Sequence, residues 1–558
     1  MISIQLQRLH IETTTLTAII ERGYLLSLRS RATGREFIDA AAASGMALQL
    51  VYASGEVVGF DEGPVSATVH QLSDTRAEIR LHGWDADGVI VVSECPDTGD
   101  LLIEPSGYSS RPGVLACRWT LAGLAESLEL VAPFFQGIKL PLDDPLIANS
   151  YWNWPISWEA GLAILQGEQE GCWVHAQDTL YRYKALQVGS HSCPRSLGFD
   201  TQAYGPLDDN LAAGGITWRI NVYQGDWRVP ATAYRDWLWQ AYHLQPRAAA
   251  RKPWLRDITL AVSWCESDPD LLDALAEQVQ PHKTLLHLAQ WRTDPYDENY
   301  PTFTPSAQAA TFVEKGKAMG FHILPHCNSV DMDPTHPLYA YLRDFQYRDI
   351  RSKRLLGWAW EEGRVLSVPN SGASLLENRP RKVMVKIHPG LAMWRSLLAE
   401  NIQSALNTLA MDSVFIDVTL CSFNLHNALV ENTTSTEGMK LLIDYIARLN
   451  AGVVVAGEGL NEITMQGLSL AQAHLFNSFS SSCADLERAG GCPLNALLFD
   501  GLCRTFGYSA LSGKTEDEQM RSRVHLSLGA IPTFTSLTPE EIRHPNAYIR
   551  ELFALANA

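Results

Sequence analysis

Two carboxylates in the C-terminal half of the chain each follow directly on a short apolar run: Asp417 in VFIDVT and Glu458 in VVVAGEGLNE. Such runs predict buried strands, and in an α/β barrel the chemistry sits at the C-terminal strand ends. The two runs are consecutive strand candidates with one helical segment between them, so they lie side by side, about 4.8 Å apart. Carboxyl groups on neighbouring strand ends can reach the separation of about 5–5.5 Å at which one acid attacks an anomeric carbon while the other protonates the leaving oxygen. Gly457 and Gly459 flank Glu458 and allow backbone and substrate to come close. A lone acid in such a position has a plainer use, capping the next helix. Glu462 is a second candidate for the proton-transferring acid and is expected in the first helical turn after the strand.

Further side chains collect at the same predicted mouth. Trp264 and Trp291 close the first two strand candidates, and RTDPYDENYPTF after the second supplies Asp294, Asp297 and Tyr300. HCNSVDMD after the third supplies His326, Asn328 and Asp331, GWAWEEG supplies Trp358 and Trp360, and KIHPGLAMWR supplies His388 and Trp394. Of these, Trp264, Trp291, Asp297, His326, Asn328, Trp358, Trp360, His388 and Trp394 are the candidates for substrate binding. Residues 329–412 form a connection between two strand candidates that is long enough to point to function. Each Trp has core packing as its competing use, and His326 and Asn328 have ordinary turn and hydrogen-bonding uses.

Other motifs carry less. His322 and His326 have the spacing H-x-x-x-H, but on a strand they are about 13 Å apart and share no metal. GYSALSGKT (507–515) has five residues between its glycines where a phosphate loop has four. GEGLNE (457–462) lacks the third glycine of a dinucleotide fingerprint, and GLSLA around Ser469 lacks the closing glycine of a nucleophile elbow and looks helical. No metal or organic cofactor is expected.

The elements that would position these residues follow from periodicity. Residues 1–228 read as short alternating or β-branched strands broken by Gly, Pro and Asp, a large antiparallel β-sandwich. Residues 229–256 read as a helical bridge, VPATAYRDWLWQAYHL, followed by a linker, QPRAAARKP. From 257 to 558, strand-like and helix-like segments alternate. Strands are expected at 258–264, 284–291, 321–328, 413–419, 452–458, 473–478, near 502–507 and within 525–534. Eight strands in this length predict a (β/α)8 TIM-type barrel, with a doubly wound sheet as the competing arrangement.

The chain has 558 residues, 44 Lys+Arg against 62 Asp+Glu, and a formal net charge of −18. At 46% hydrophobic and 19% charged residues it is globular in composition, not disordered. The negative charge argues against a nucleic-acid partner. The 16 Trp, 18 Tyr and 17 Phe suit a protein that stacks rings on sugar C–H faces. The ten cysteines include no C-x-x-C pair or zinc spacing, and Cys117 in VLACRWTL suits a buried thiol. Neither a signal peptide nor an apolar run of membrane length is read from the sequence, which points to a cytoplasmic protein. Oligomeric state is not encoded in any pattern found.

A sandwich, then GDWRVPATAYRDWL, then WRTDPYDENYPTFTPS, FHILPHCN, FIDVT and VVAGEGLNE in one order resembles the endo-α-N-acetylgalactosaminidase-like glycoside hydrolases, family 101 and its relatives. The resemblance covers about residues 215–540 by motif and the sandwich by architecture. It implies a galactose-mutarotase-like supersandwich before the barrel. It also implies a retaining α-glycosidase acting on a galactose- or N-acetylgalactosamine-type sugar, with Asp417 as nucleophile and Glu458 as acid/base. Glu458 should then hold its proton more tightly than Asp417. An aromatic lid implied by the resemblance falls on Trp358 and Trp360. The chain is shorter than the family pattern and ends soon after the barrel. The alternative is a catalytically idle sugar-binding protein on the same scaffold.

Overall fold

The structure is a computed structural model. It describes all residues except 6, 42–46, 61–65, 84–85, 191–192, 362–363, 366–373, 376–381, 476–482, 490 and 509. The N-terminal strands form antiparallel sheets of four, ten and six strands among the described residues. Strand Leu101–Ser109 shows why: its odd-numbered residues are buried and its even-numbered ones face outward, the two-residue period of a sheet with one face on a core. The two larger sheets close on Leu101, Ile103, Trp119, Trp158, Phe199 and Trp218. Helix Arg228–Ala241 then leads towards the barrel, and the segment expected as a linker is itself helical over Gln245–Ala250.

Eight parallel strands follow: β1 Leu260–Glu266, β2 Thr284–Gln290, β3 His322–Asn328, β4 Ser413–Asp417, β5 Val454–Glu458, β6 Leu470–Ala473, β7 Arg504–Gly507 and β8 Thr533–Thr535. Each pairs with its neighbour, β8 pairs with β1, and a parallel bridge between Phe506 and Ile531 closes the ring. Alternation along the strands sorts the side chains. Ala261, Leu285, Leu324, Phe415, Ala456, Leu470 and Phe506 fill the interior. Their neighbours Val262, Leu286, Ile323, Ile416, Val455 and Ala471 pack outward against the helices. Helices Ala307–Met319, Ala392–Leu409 and Ser435–Ala447 cross between strands as their periodicity predicts. Ser306 and Thr434 cap the first and third by accepting backbone N–H groups.

Two strands lie elsewhere than expected. β6 is Leu470–Ala473, so the run 473–478 only touches its end, and Ser469, read as helical, stands just before a strand. The segment 525–534 divides into the end of helix Glu516–Ser527 and the short β8. Between β3 and β4 an antiparallel sheet is inserted, in which Asp331–Met332 pairs with Lys382–Lys386, which pairs with Leu356–Glu361.

Sandwich and barrel share their cores. Val131, Leu162, Ile164 and Trp173 of the sandwich join the outer barrel cluster, while Ile463, Leu475, Val524 and Leu528 of the barrel join the sandwich cluster. No described helix is long and apolar enough to cross a membrane.

Candidate active site

Asp417 and Glu458 are the last residues of β4 and β5. Ile416 pairs with Gly457, so the two acids occupy neighbouring positions, and by alternation both point into the barrel mouth, above Phe415 and Ala456. Both are buried, at 2% and 7% exposure. Immediately after Asp417 the chain turns through Val418 at φ +62, a left-handed conformation that strains a β-branched residue. The turn aims the Val418 N–H at Glu458, whose Oε2 accepts it at 3.1 Å. The other carboxylate oxygen of Glu458 lies 2.9 Å from His474 Nε2. The Thr419 hydroxyl donates to the Glu458 carbonyl at 2.8 Å.

Four acids converge here: Asp297, Asp331, Asp417 and Glu458. Lys386 forms a fully buried pair with Asp331 at 2.5 Å. Burial alone would discharge Lys386, but the attraction of Asp331 outweighs it and raises its pKa. Asp417 is pushed well above the usual carboxylate range, first by burial and then by Glu458, Asp297 and Asp331. Burial pushes Glu458 upward as well, but His474 and the Val418 N–H more than offset this and hold it below its ordinary value. This is the reverse of the order that the resemblance implies, because the hydrogen-bond donors fall to Glu458 and the neighbouring charges to Asp417.

Beneath Asp417 lies a pair of imidazoles. The backbone N–H of Trp264 donates to His287 Nδ1 at 3.3 Å, so the proton of that ring is on Nε2. His287 Nε2 then donates to His326 Nδ1 at 2.9 Å. His326 is therefore protonated on Nε2, which faces Asp417 Oδ2 at 3.5 Å. Burial drives the His287 pKa down to about 3 and that of His326 well below its usual value, so both rings are neutral at physiological pH. Trp264 reaches this position because β1 shifts register between Val262 and Cys265 and Trp264 takes φ +57, a bulge that re-aims its side chain. Its half-buried ring meets Tyr296, His326 and Tyr508 at 5.5–6.2 Å. The Tyr296 hydroxyl reaches Asp417 Oδ2 at 3.5 Å.

Of the expected binding residues, Trp264, Asp297 and His326 are at the acids. Asn328 stands beside Asp417 in register and donates to Asp331 at 3.0 Å, so it positions that acid. Trp358 lies near the cluster, its ring centroid 5.0 Å from Lys386 Nζ. Trp360 is in the inserted strand, but its side chain lies outside the described residues.

Three expected binding residues are structural. Trp291 is buried on Phe303 and donates to the His326 carbonyl at 2.7 Å. Trp394 is buried in a helix and donates to the Ser329 carbonyl at 2.9 Å. His388 is buried against Tyr347 and accepts the Gly390 N–H at 2.9 Å. Tyr300 is also buried, under Arg292. Asp294 accepts from Asn299 within its own loop. His322 stacks on Trp254 at the opposite end of β3 from His326.

Glu462 is not in a helix and does not face the acid pair. Its carboxylate accepts from Trp154 Nε1 at 2.5 Å and the Tyr234 hydroxyl at 2.6 Å, tying the barrel to the sandwich and the bridge. A second tie holds His474: Gln136 Nε2 of the sandwich donates to its carbonyl at 2.7 Å.

Sequence reasoning missed Tyr296, His287, Lys386, His474 and Tyr508. His474 and Tyr508 each follow the last residue of a strand, β6 and β7, so the strand-end rule finds both once those strands are placed. Lys386 shares a face with Met384, Val385 lying on the other, in a strand that gives no sign of a buried charge.

A family model described as a domain of unknown function (DUF6259) matches residues 216–428. No curated protein matches the sequence. Among solved structures, the chain is similar to the ligand-free α-N-acetylgalactosaminidase NagBb of Bifidobacterium bifidum, at 12% identity and a TM-score of 0.68 over 100% of this chain and 93% of that one. The GalNAc complex of that enzyme gives 12% identity and a TM-score of 0.62 over 95% and 92%. At this identity the likeness is one of fold: a β-sandwich followed by an eight-stranded barrel.

Proposed function

We propose that the protein is a retaining α-glycoside hydrolase acting on a sugar of the galactose or N-acetylgalactosamine type. The observation that carries this reading is the buried pair Asp417–Glu458 on adjacent strand ends, with the fold likeness to an α-N-acetylgalactosaminidase in support. The relation to family 101 belongs to the same proposal. Asp417 attacks the anomeric carbon and forms a glycosyl ester, while Glu458 protonates the leaving oxygen. Glu458 then takes a proton from water as the ester is hydrolysed. Trp264, Tyr296 and Tyr508 supply the aromatic walls.

In the free site the pair favours its proton on Asp417. Positive charge developing at the anomeric carbon favours the Asp417 carboxylate, and a leaving oxygen beside Glu458 favours the acid there. The protonation order of the free site also favours a second assignment, with Glu458 as nucleophile and Asp417 as acid.

Azide separates the two. On a nitrophenyl α-glycoside, the alanine variant of the nucleophile gives the β-glycosyl azide, whereas the alanine variant of the acid/base gives the α-glycosyl azide. We expect the β product from Asp417→Ala; the α product from that variant reverses the roles. Full activity in both Asp417→Ala and Glu458→Gln ends the reading, and binding of sugars without turnover by the wild-type protein favours the idle alternative.

A further inference from the structure

The two imidazoles beneath Asp417 are part of a longer hydrogen-bonded chain that crosses the barrel. Two places on from the interior residues Ala261, Leu285, Leu324, Phe415 and Leu470 stand Ser263, His287, His326, Asp417 and Gln472, on the same inward face by alternation. All five are at most 2% exposed. Gln472 Nε2 of β6 donates to Ser263 Oγ of β1 at 2.5 Å. Ser263 Oγ lies 3.4 Å from His287 Nδ1 of β2, on which the Trp264 N–H also converges at 3.3 Å. That nitrogen carries no proton, so the Ser263 hydroxyl is the donor, and the two donors together keep the His287 proton on Nε2. His287 Nε2 donates to His326 Nδ1 of β3 at 2.9 Å. The last group in the chain, His326 Nε2–H, faces Asp417 Oδ2 of β4 at 3.5 Å.

Every group donates to the next, and the chain ends on a donor aimed at the nucleophile. His326 Nε2–H has no partner within hydrogen-bond range among the described residues, and a buried donor left so costs free energy. An ionised Asp417 satisfies it best, because a hydrogen bond to a charged acceptor is about twice as strong as a neutral one. A bond of this length tightens in the reacting complex. The Tyr296 hydroxyl converges on the same Oδ2 at 3.5 Å, and no described donor reaches Oδ1. We infer that His326, held by His287, Ser263 and Gln472, is a positioning residue that engages Asp417 Oδ2 and leaves Oδ1 to attack the anomeric carbon. In the first step the bond from Oδ1 to that carbon forms and the bond to the leaving oxygen breaks. Its electron pair goes to the leaving oxygen, which takes the Glu458 proton, and Oδ2 becomes the ester carbonyl. In the second step a water oxygen attacks the same carbon and its proton goes to Glu458. The ester electron pair returns to Asp417, whose regained charge His326 stabilises. This rests on the hydrolase reading above, with Asp417 as nucleophile.

One test needs no substrate. The charged and titratable groups around Asp417 are Glu458, Asp297, Asp331, Lys386, Tyr296 and Tyr508, so its ionisation is followed on its own carboxyl by carbon-13 NMR. As that carboxyl ionises, the His326 Nε2–H proton should move downfield and stay on its nitrogen, and in Asp417→Asn it should not move. A proton that ignores the Asp417 carboxyl in the wild-type protein overturns the inference while the hydrolase reading stands. A second test uses dinitrophenyl α-glycosides of galactose and N-acetylgalactosamine. His326→Phe keeps a ring and removes the donor, whereas His326→Gln keeps an N–H of similar reach. His326→Phe should hydrolyse the glycosyl ester about tenfold more slowly, so that the ester accumulates in the intact mass. The limb of the kcat/KM profile that Asp417 governs should move to higher pH, because only the ionised form loses a donor. His326→Gln should restore both. Loss of activity in His326→Phe with no ester and an unmoved limb means that the ring only packs, and overturns the inference. Where His326→Phe does not fold, the wild-type titration decides. Absence of turnover by the wild-type protein overturns the hydrolase reading and this role with it.

Discussion

Glu159 carries a carboxyl that the fold encloses where the sandwich meets the loops of the barrel. Its Oε2 accepts the Gln136 N–H at 2.9 Å and Asn495 Nδ2 at 2.5 Å, both neutral donors. Burial outweighs them and pushes the carboxyl from 4.5 up to about 8. A tenfold change in proton affinity is worth about 1.36 kcal/mol. At pH 7 the unfolded chain ionises this group and the folded chain keeps it protonated, a cost of roughly 3 kcal/mol that approaches about 5 kcal/mol above pH 8. The sign follows from the raised folded pKa: stability is retained below about pH 4.5 and lost as pH rises through 8. Glu159→Gln keeps an acceptor of the same shape and removes the ionisation. Thermal melting should show the variant more stable than wild type at pH 7.5, the gap widening to pH 8.5 and closing at pH 4.5. A gap independent of pH, or a more stable wild type at pH 7.5, would mean that Glu159 is ionised in the fold and refute the reasoning.

Three further outcomes are expected. Lys386→Met should destabilise the protein by about 3–5 kcal/mol, because it leaves Asp331 buried and unpaired. Lys386→Met with Asp331→Leu should recover most of that loss, and a thermal double-mutant cycle without coupling contradicts the pair. Nitrogen-15 NMR should find His287 and His326 neutral and protonated on Nε2 from pH 5 to 8; a titrating imidazole at either position contradicts the neutral hydrogen-bonded pair. Gln136→Ala should loosen the grip of His474 on Glu458, let the Glu458 carboxyl rise towards its ordinary value and move the limb of the kcat/KM profile that it governs to higher pH, whereas a merely structural Gln136 would leave the profile in place.

The barrel was legible where its strands are long and β-branched. VFID and VVAGE announce β4 and β5 because they alternate between a packed interior and a packed helical layer. β6, Leu470–Ala473, has no β-branched residue and reads equally as helix, which is why its end was misplaced and His474 went unfound; Tyr508 follows β7, a strand expected in nearly its place, and was not singled out. The acid pair was legible because a strand end is a position that the sequence marks. Its protonation was not, since the decisive donors are a backbone N–H at Val418 and a histidine on another strand. The tryptophans misled in part. An indole in an apolar run looks the same whether it lines a mouth or fills a core, and Trp291 and Trp394 fill cores with their N–H groups on buried carbonyls.

The tie between Glu462 and Trp154 spans 308 residues. At a synthesis rate of about 5–20 residues per second, the sandwich waits roughly 15–60 s for its partner surface to leave the ribosome. Throughout that interval Val131, Leu162, Ile164 and Trp173 lack the barrel part of the core cluster in which they end. A barrel produced without residues 1–227 would be left with the complementary half of the same surface: Ile463, Leu475, Val524 and Leu528 exposed, and a Glu462 that has lost its indole donor.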